Sequence, residues 1–419
     1  MMVRANGEEG IFVARKQATF PGGPRLSDYL SVGVIGQVFP VSALRSALAA
    51  TGRRSIRQRD LPAEAMMYYV IALGLFRSVS AREVLRCLVE GLRWATLPVP
   101  GRVPGKSSIS RARARLGVRP FEVLREARVR PVGEPGTRGV WYREWRLMGF
   151  DGSTLEVPDE AGNREAFGLP GERRGRSAFP QVRLTTLMEL GTRACVAWTH
   201  GPIRESEVVQ AERLLDRFGP EMLVVADRNY AGYPLWARAR ATGAALLWRI
   251  QGGIRLPVQR RLADGSYLSR LRASGRDRRR SRGVCPVRVV AYRLDEDSEV
   301  YRLVTTVLDP ARAPAAELAA LYHERWEIET GYDEIKSHLL GPGPRLRGKT
   351  PELVRQEVEG LLLAHYAVRY LMHQAAREAD EDPDDLSFLH SVRVLRRRLL
   401  AAGDIPPSGP DPSPPPRAP

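Results

Sequence analysis

Four polar residues of different chemistry share one helical face in the stretch YHERWEIETGYDEIK, residues 322–336. Tyr322, Arg325, Glu329 and Lys336 are spaced so that, at about 100° per residue, they fall within about 60° of one another around a helix. The stripe carries a phenol, a guanidinium, a carboxylate and an ammonium. Solubility alone gives a surface helix no reason to align these four. A carboxylate that holds a metal, flanked by cations that grip a phosphate strand, does. Two further acids stand out by position. Asp151 and Asp227 follow the hydrophobic runs Trp145–Phe150 and Met222–Ala226, which read as β-strands. Side chains at the C-terminal ends of strands in an α/β sheet line its site crevice. Three carboxylates from three elements can hold two hard divalent cations through oxygen, the arrangement that serves in-line phosphoryl transfer. Taken singly, each acid has a plainer role: an aspartate after a strand is a turn or cap residue, and Glu329 a solvated helix residue.

The bulk composition agrees with an anionic partner. The 419 residues include 65 Lys and Arg against 48 Asp and Glu, a net charge of +17, which points first to nucleic acid. The bland alternative is a GC-rich coding sequence, because nearly all the cations are arginine. Only Lys16, Lys106, Lys336 and Lys349 are lysine, and one of them falls on the stripe. Cys87, Cys195 and Cys285 are far apart and odd in number, which argues against a metal cluster or a disulfide framework. The histidines show no ligand spacing, and His323 and His338 point off the stripe. No phosphate-binding lysine loop or dinucleotide glycine pattern is present, which argues against nucleotide-driven chemistry. There is no apolar leader and no run of about 18 apolar residues. The expected setting is a reducing cytoplasm, without a membrane.

The elements that must position these residues are an α/β set. Residues 1–30 read as a loose arm and 31–140 as a helical N-terminal domain. In it, Ala63–Phe76 is a buried helix, and Ser80 with Glu83 forms a capping-box pattern. A Ser-capped helix near Gly105–Leu116 carries Lys106, Arg111, Arg113 and Arg115, as a recognition helix or phosphate clamp or as a solvated basic face. Strands are expected at Trp145–Phe150, Val182–Leu190, Arg193–Thr199, Met222–Ala226 and Ala244–Ile250. Helices are expected at Glu205–Phe218 and Tyr233–Ala241. Residues 251–312 read as a β-rich insertion with a dense cluster, Arg276–Arg282, as a DNA clamp or a free basic loop. One helix from Pro314 to about Leu340 carries the stripe, and a second runs from Pro351 to about Ala379 with an apolar face. A basic helix, Phe388–Leu400, lies within 381–404, and a Pro-rich tail closes the chain over 405–419. Trp326 is a candidate for stacking, but packing in the core beside Leu321, Ile328 and Ile335 is the leading expectation.

The segments Phe150-Asp151-Gly152-Ser153-Thr154, Val225-Ala226-Asp227-Arg228-Asn229-Tyr230 and Tyr322-x2-Arg325-x3-Glu329-x6-Lys336 resemble the three acidic blocks of the DDE transposases of bacterial insertion sequences. The last matches the Y-R-E-K signature of the IS-four group, and the resemblance covers about residues 30–375. It implies an RNase H-like catalytic core in two parts, 141–250 and 313–380, interrupted by the β-rich insertion. An all-helical N-terminal DNA-binding domain and a helical C-terminal segment would flank it. It further implies that Asp151, Asp227 and Glu329 coordinate two Mg²⁺ or Mn²⁺ ions. Water would nick double-stranded DNA at the element's terminal inverted repeats, and the freed 3′-hydroxyl would attack the opposite strand or target DNA. Tyr322 and Arg325 would hold a flipped base and nearby phosphates, and Lys336 a phosphate of the transferred end. Arg228, Lys106, Arg111 and Arg115 are further candidate DNA contacts. Pairing two ends implies a homodimer on DNA. Two other readings stay open: a DNA-binding protein without catalysis, decayed or domesticated, and an RNase H-like nuclease that cuts without joining.

Overall fold

A computed structural model of the chain describes residues 32–55, 61–76, 79–92, 104–171, 179–273, 283–293, 299–341 and 346–400. The expected arm, the Pro-rich tail and the Arg276–Arg282 cluster lie outside these residues.

The chain opens with helices α1 (Val32–Val38), α2 (Val41–Ala50), α3 (Ala63–Leu75), α4 (Ala81–Leu92), α5 (Lys106–Leu116) and α6 (Arg119–Arg128). Glu83 N–H bonds the Ser80 hydroxyl at 3.2 Å, so the capping residue starts α4 as its sequence suggests. Helix α3 carries a single charge, Glu64, and is buried almost throughout. It lies against α12 (Pro351–Ala379), where small residues let the backbones meet. A Cβ on Gly74 would stand 3.0 Å from Leu361 Cα. Helix α12 is therefore buried nearly all round, not on one face as its apolar pattern suggests. The N-terminal helices share one core cluster with α12 and one face of the sheet, so no break in packing falls near residue 140.

The strands are β1 (Trp141–Tyr142), β2 (Trp145–Glu156), β3 (Gln181–Glu189), β4 (Cys195–Pro202), β5 (Met222–Ala226), β6 (Ala245–Arg249), β7 (Arg260–Arg261), β8 (Tyr267–Arg272), β9 (Val284–Tyr292) and β10 (Tyr301–Thr305). They form one sheet in the order β4-β3-β2-β5-β6-β10-β9-β8-β7, with β1 on β2. β5 runs parallel to β2 and β6, and the other pairs are antiparallel. The region read as an insertion supplies β7–β10 and joins through β10 on β6, with Leu303 opposite Arg249. It lengthens the existing sheet.

Side chains alternate between the two faces of a strand. On β2, Leu147 and Leu155 enter the core shared with α12, while Met148 and Phe150 enter a second core. The second core is covered by α9 (Tyr233–Ala241) and by Leu215 and Phe218, and includes Trp248 of β6. Trp248 is fully buried there, edge-on to Trp236. Helices α7 (Ala161–Phe167) and α8 (Glu207–Glu212) flank the β3–β4 hairpin in sequence. The helix expected over 205–218 is shorter than its pattern. It stops at Glu212 and is followed by a 3₁₀ turn at Leu215–Arg217.

The stripe segment is not one continuous helix. Helix α10 (Ala315–His323) ends where Glu324 and Arg325 N–H bond the carbonyls three residues back. Helix α11 (Trp326–Asp333) follows, then a π turn at Glu334–Leu339. The last helix, α13, spans Phe388–Leu400.

Candidate active site

Strand register brings the two aspartates together. Parallel β2 and β5 pair up to Phe150 opposite Ala226, and the next residue on each strand is an aspartate. β5 ends there, but β2 continues beside β3 to Glu156. Asp151 therefore sits within a strand, contrary to the expected strand end, at the point where its β5 neighbour stops. By alternation Asp151 shares the face of Leu147 and Gly149, the face covered by α11. A Cβ on Gly149 would strike the side chain of Ile328, and one on Gly331 would stand 2.7 Å from Met188 Sδ. Glycine at both places lets α11 press directly onto the sheet, and with it Arg325 and Glu329.

Arg325 joins two of the three acids. Its Nη1 lies 3.3 Å from Asp151 Oδ2, and its Nη2 donates to Glu329 Oε1 at 2.7 Å. Asp151 Oδ1 accepts the Gly152 N–H at 2.8 Å. Asp227 Oδ1 accepts the Arg228 N–H at 2.6 Å. Lys336 Nζ reaches Ser153 Oγ at 3.4 Å, one pleat beyond Asp151 on the same face. Burial pushes the Asp151 carboxyl up to about 6; the Gly152 N–H and Arg325 oppose this, while Asp227 and Glu207 add to it. Burial is the largest of these causes, and the two neighbouring acids are the smallest.

Three expectations for the stripe change. Tyr322 is only 5% exposed and its ring belongs to the core, so it presents no open face for a base to stack on. Burial raises its phenol, and the hydroxyl is near enough to Arg325 and Asp227 to feel both. Trp326, expected in the core, is 62% exposed. Ile328 faces inward, and a residue two positions away points to nearly the opposite side of a helix. Lys336 stands on the π turn and not on the same α-helix as Glu329.

On α5, Lys106, Arg111 and Arg115 are exposed. Gly105, not a serine, precedes the first turn. Arg113, the middle arginine of that run, is buried and structural: it donates to Gln356 Oε1 at 2.8 Å and to the Leu353 carbonyl at 3.0 Å. Arg228 and Asn229 are exposed in the turn after β5. Cys195 and Cys285 are free and buried.

The structure adds residues that the sequence did not single out. Tyr332 donates from its hydroxyl to the Asp151 carbonyl at 2.7 Å and accepts from Thr186 Oγ1 at 2.9 Å, locking the backbone at the first acid. Its signal was its place three residues after Glu329, one turn along α11. Glu207 packs against Gly152, with its Cδ 3.0 Å from where a Cβ would be, and Arg183 holds it at 2.5 Å. No spacing in the sequence pointed to Glu207.

Three carboxylates from separate elements, two of them sharing one cationic group, have the oxygen-donor chemistry that a hard cation takes. Among the described residues no three acidic, imidazole or thiol side chains converge tightly enough to hold one ion. The Arg325 guanidinium lies between two of the candidates.

Comparison with known proteins accords with this site. The description "Insertion element 4 transposase N-terminal" matches residues 29–126, and "Transposase DDE domain" matches residues 147–367. The transposase InsG of insertion sequence element IS4 from Escherichia coli K12 is 30% identical over 389 residues, covering 90% of this chain and 82% of that one. A piggyBac transposase synaptic complex with hairpin DNA superposes at a TM-score of 0.49 and 10% identity, covering 90% of this chain and 80% of that one. That likeness is too loose to carry an argument. The chain belongs to the IS4 family of DDE transposases, and its function is that of a transposase. Among the described residues no helix is long and apolar enough to cross a membrane.

Proposed function

We propose that this transposase hydrolyses a phosphodiester at each end of its element and joins the freed 3′-hydroxyl to a second strand. In this reading Asp151, Asp227 and Glu329 hold two divalent cations, Mg²⁺ or Mn²⁺. The observation that carries it is the Phe150–Ala226 register, which an aspartate follows on both strands, with Glu329 tied to the first by one guanidinium. The order β4-β3-β2-β5-β6, with its antiparallel half and its parallel half, supports an RNase H-like core that β7–β10 extend. When bound, the cations polarise the scissile phosphate and stabilise the attacking and leaving oxygens of an in-line displacement.

The protein's own groups do the positioning. Tyr332 fixes the backbone at Asp151. Arg325, paired with carboxylates here, can exchange them for a DNA phosphate, which a guanidinium binds in the same two-pronged way. Lys336 offers a point charge beside Ser153 for a phosphate of the transferred strand. Tyr322 is buried in the core and does not offer its ring for stacking. Arg228 beside the site and Lys106, Arg111 and Arg115 on α5 contact the backbone of double-stranded DNA. With a net charge of +17, binding weakens steeply with salt. Two element ends need two active sites, so the working form is a homodimer on DNA.

The test combines the purified protein, Mg²⁺ or Mn²⁺, and a duplex carrying the element end. Nicking followed by strand joining is expected, with both abolished in Asp227→Asn and Glu329→Gln while end binding persists. Undiminished cleavage by either variant refutes the assignment. Binding without cleavage by the unaltered protein favours a binding-only role, and cleavage without joining a nuclease.

A further inference from the structure

Helix α11 is held from behind by charge. Glu327 and Glu334 lie about two turns apart and face away from Asp151. Glu327 accepts from Arg193 Nε, and Arg193 Nη1 stands 3.8 Å from Glu334. The third nitrogen, Nη2, is 3.1 Å from Asp384. Glu334 is gripped in turn from α12: Arg369 Nε donates to it at 2.8 Å, and His365 Nε2 lies 3.1 Å away. The Arg193, Glu334 and Arg369 side chains are 4%, 3% and 0% exposed.

Two features separate this cluster from ordinary packing. Arg193 sits in the β3–β4 turn at φ 52°, a left-handed conformation that is unfavourable for a non-glycine residue and persists only where its surroundings over-determine it. Buried ion pairs also add little net stability compared with apolar groups of the same size. What they add is direction. Ile328 and Ile335 are fully buried and hold α11 on the sheet, but apolar contacts let a helix slide or rotate. A planar guanidinium between fixed carboxylates does not.

We propose that Arg193 is a positioning residue for Glu329: through Glu327 and Glu334 it sets the height and rotation of α11 over β2, and so the approach of Glu329 to Asp151. The inference rests on the assignment of Asp151, Asp227 and Glu329 as the cation-holding acids. Displacing a ligand by about 1 Å is enough to impair a positioned site, and loss of groups that orient metal ligands typically costs about 10–100-fold in metal affinity.

The experiment measures Mn²⁺ binding to the full chain with a DNA end present, by the electron paramagnetic resonance of free Mn²⁺. Half-saturating Mn²⁺ for cleavage, DNA-end affinity and thermal unfolding are measured alongside. Arg193→Gln and Glu327→Gln are expected to weaken Mn²⁺ binding about tenfold or more with end affinity within about twofold, and Arg193→Lys to recover part of the loss. Asp384→Asn removes an anchor of Arg193 that does not touch α11. It is expected to leave Mn²⁺ binding unchanged. Unaltered Mn²⁺ binding in folded Glu327→Gln overturns the proposal. So does an equal loss in Asp384→Asn, which marks general loosening. If Arg193→Gln does not fold, Glu327→Gln decides alone. Asp151→Asn separates the two levels: if it binds Mn²⁺ normally, the acid assignment fails, whereas loss there with none in Glu327→Gln refutes only the positioning role.

Discussion

Replacing Asp151 by asparagine keeps the size of the side chain and an oxygen for the Gly152 N–H, but removes the ability to ionise. In the fold, burial raises this carboxyl from 3.8 to about 6. A folded pKa above the unfolded one means that folding favours the protonated group. That contribution is complete below about pH 4 and is lost as pH rises through about 6. At pH 8 the carboxylate is charged in both states, and the fold bears the whole penalty: about two pKa units at about 1.4 kcal/mol each, or about 3 kcal/mol. That shift is already net of the opposing Arg325 guanidinium. Asp151→Asn is therefore expected to be about 3 kcal/mol more stable than the unaltered protein at pH 8 in chelator, and close to it at pH 4. Urea unfolding followed by tryptophan fluorescence at pH 4, 6 and 8 measures the difference. Mn²⁺ should then stabilise the unaltered protein and not the variant. A variant less stable at pH 8, or a difference that does not change with pH, refutes the charge balance described for the site.

Other expectations come from single contacts. Arg325→Gln removes the guanidinium between Asp151 and Glu329. Without DNA, Mn²⁺ should bind about tenfold more tightly, a gain of about 1.4 kcal/mol, while DNA-end binding weakens; titration calorimetry showing equal or weaker metal affinity contradicts this. For Glu334, burial works to raise the carboxyl, but Arg369 and His365 outweigh it and hold it at about 2. Its stabilisation is present above the ordinary carboxyl range of about 4–5 and is lost as pH falls through about 2. Glu334→Gln strands the buried Arg369 charge and should cost about 3–5 kcal/mol near neutral pH; a loss below about 1 kcal/mol in urea unfolding contradicts the burial argument. Arg113→Met leaves Gln356 and the Leu353 carbonyl without their donor and should cost about 2–3 kcal/mol, with DNA affinity of the folded protein unchanged. Arg111→Ala with Arg115→Ala should do the reverse, leaving stability alone and reducing the salt slope of DNA binding by about 0.9 per lost phosphate contact, read by fluorescence anisotropy.

The elements that the sequence shows most clearly are those dictated by local chemistry. The apolar run Met222–Ala226 is β5, Tyr233–Ala241 is α9 and Phe388–Leu400 is α13, each bounded as its pattern suggests. Proline at the start and the length of the hydrophobic repeat mark Pro351–Ala379. The places where local reading failed are those where a distant partner intervenes. β2 runs on past Asp151 because β3 pairs with it along its whole second half. The stripe helix breaks between α10 and α11 at Glu324–Arg325, and gives way to a π turn where Arg369 and His365 hold Glu334 in the core. Arg113 looked like its exposed neighbours Arg111 and Arg115 because nothing local records that Gln356 lies over it.

The sequence alone determined the types and order of the elements, the excess of cationic charge and the acidic blocks that mark the family, because propensity, periodicity and spacing are properties of neighbouring residues. Only the tertiary structure decided that Asp151 and Asp227 stand side by side, that Tyr322 is buried while Trp326 is exposed, and that Arg325 rests between two of the acids. Those outcomes depend on strand register, on a helix pressed against two glycines and on charges meeting across long stretches of chain. They are energies of contact between segments that do not adjoin, and a linear pattern does not carry them.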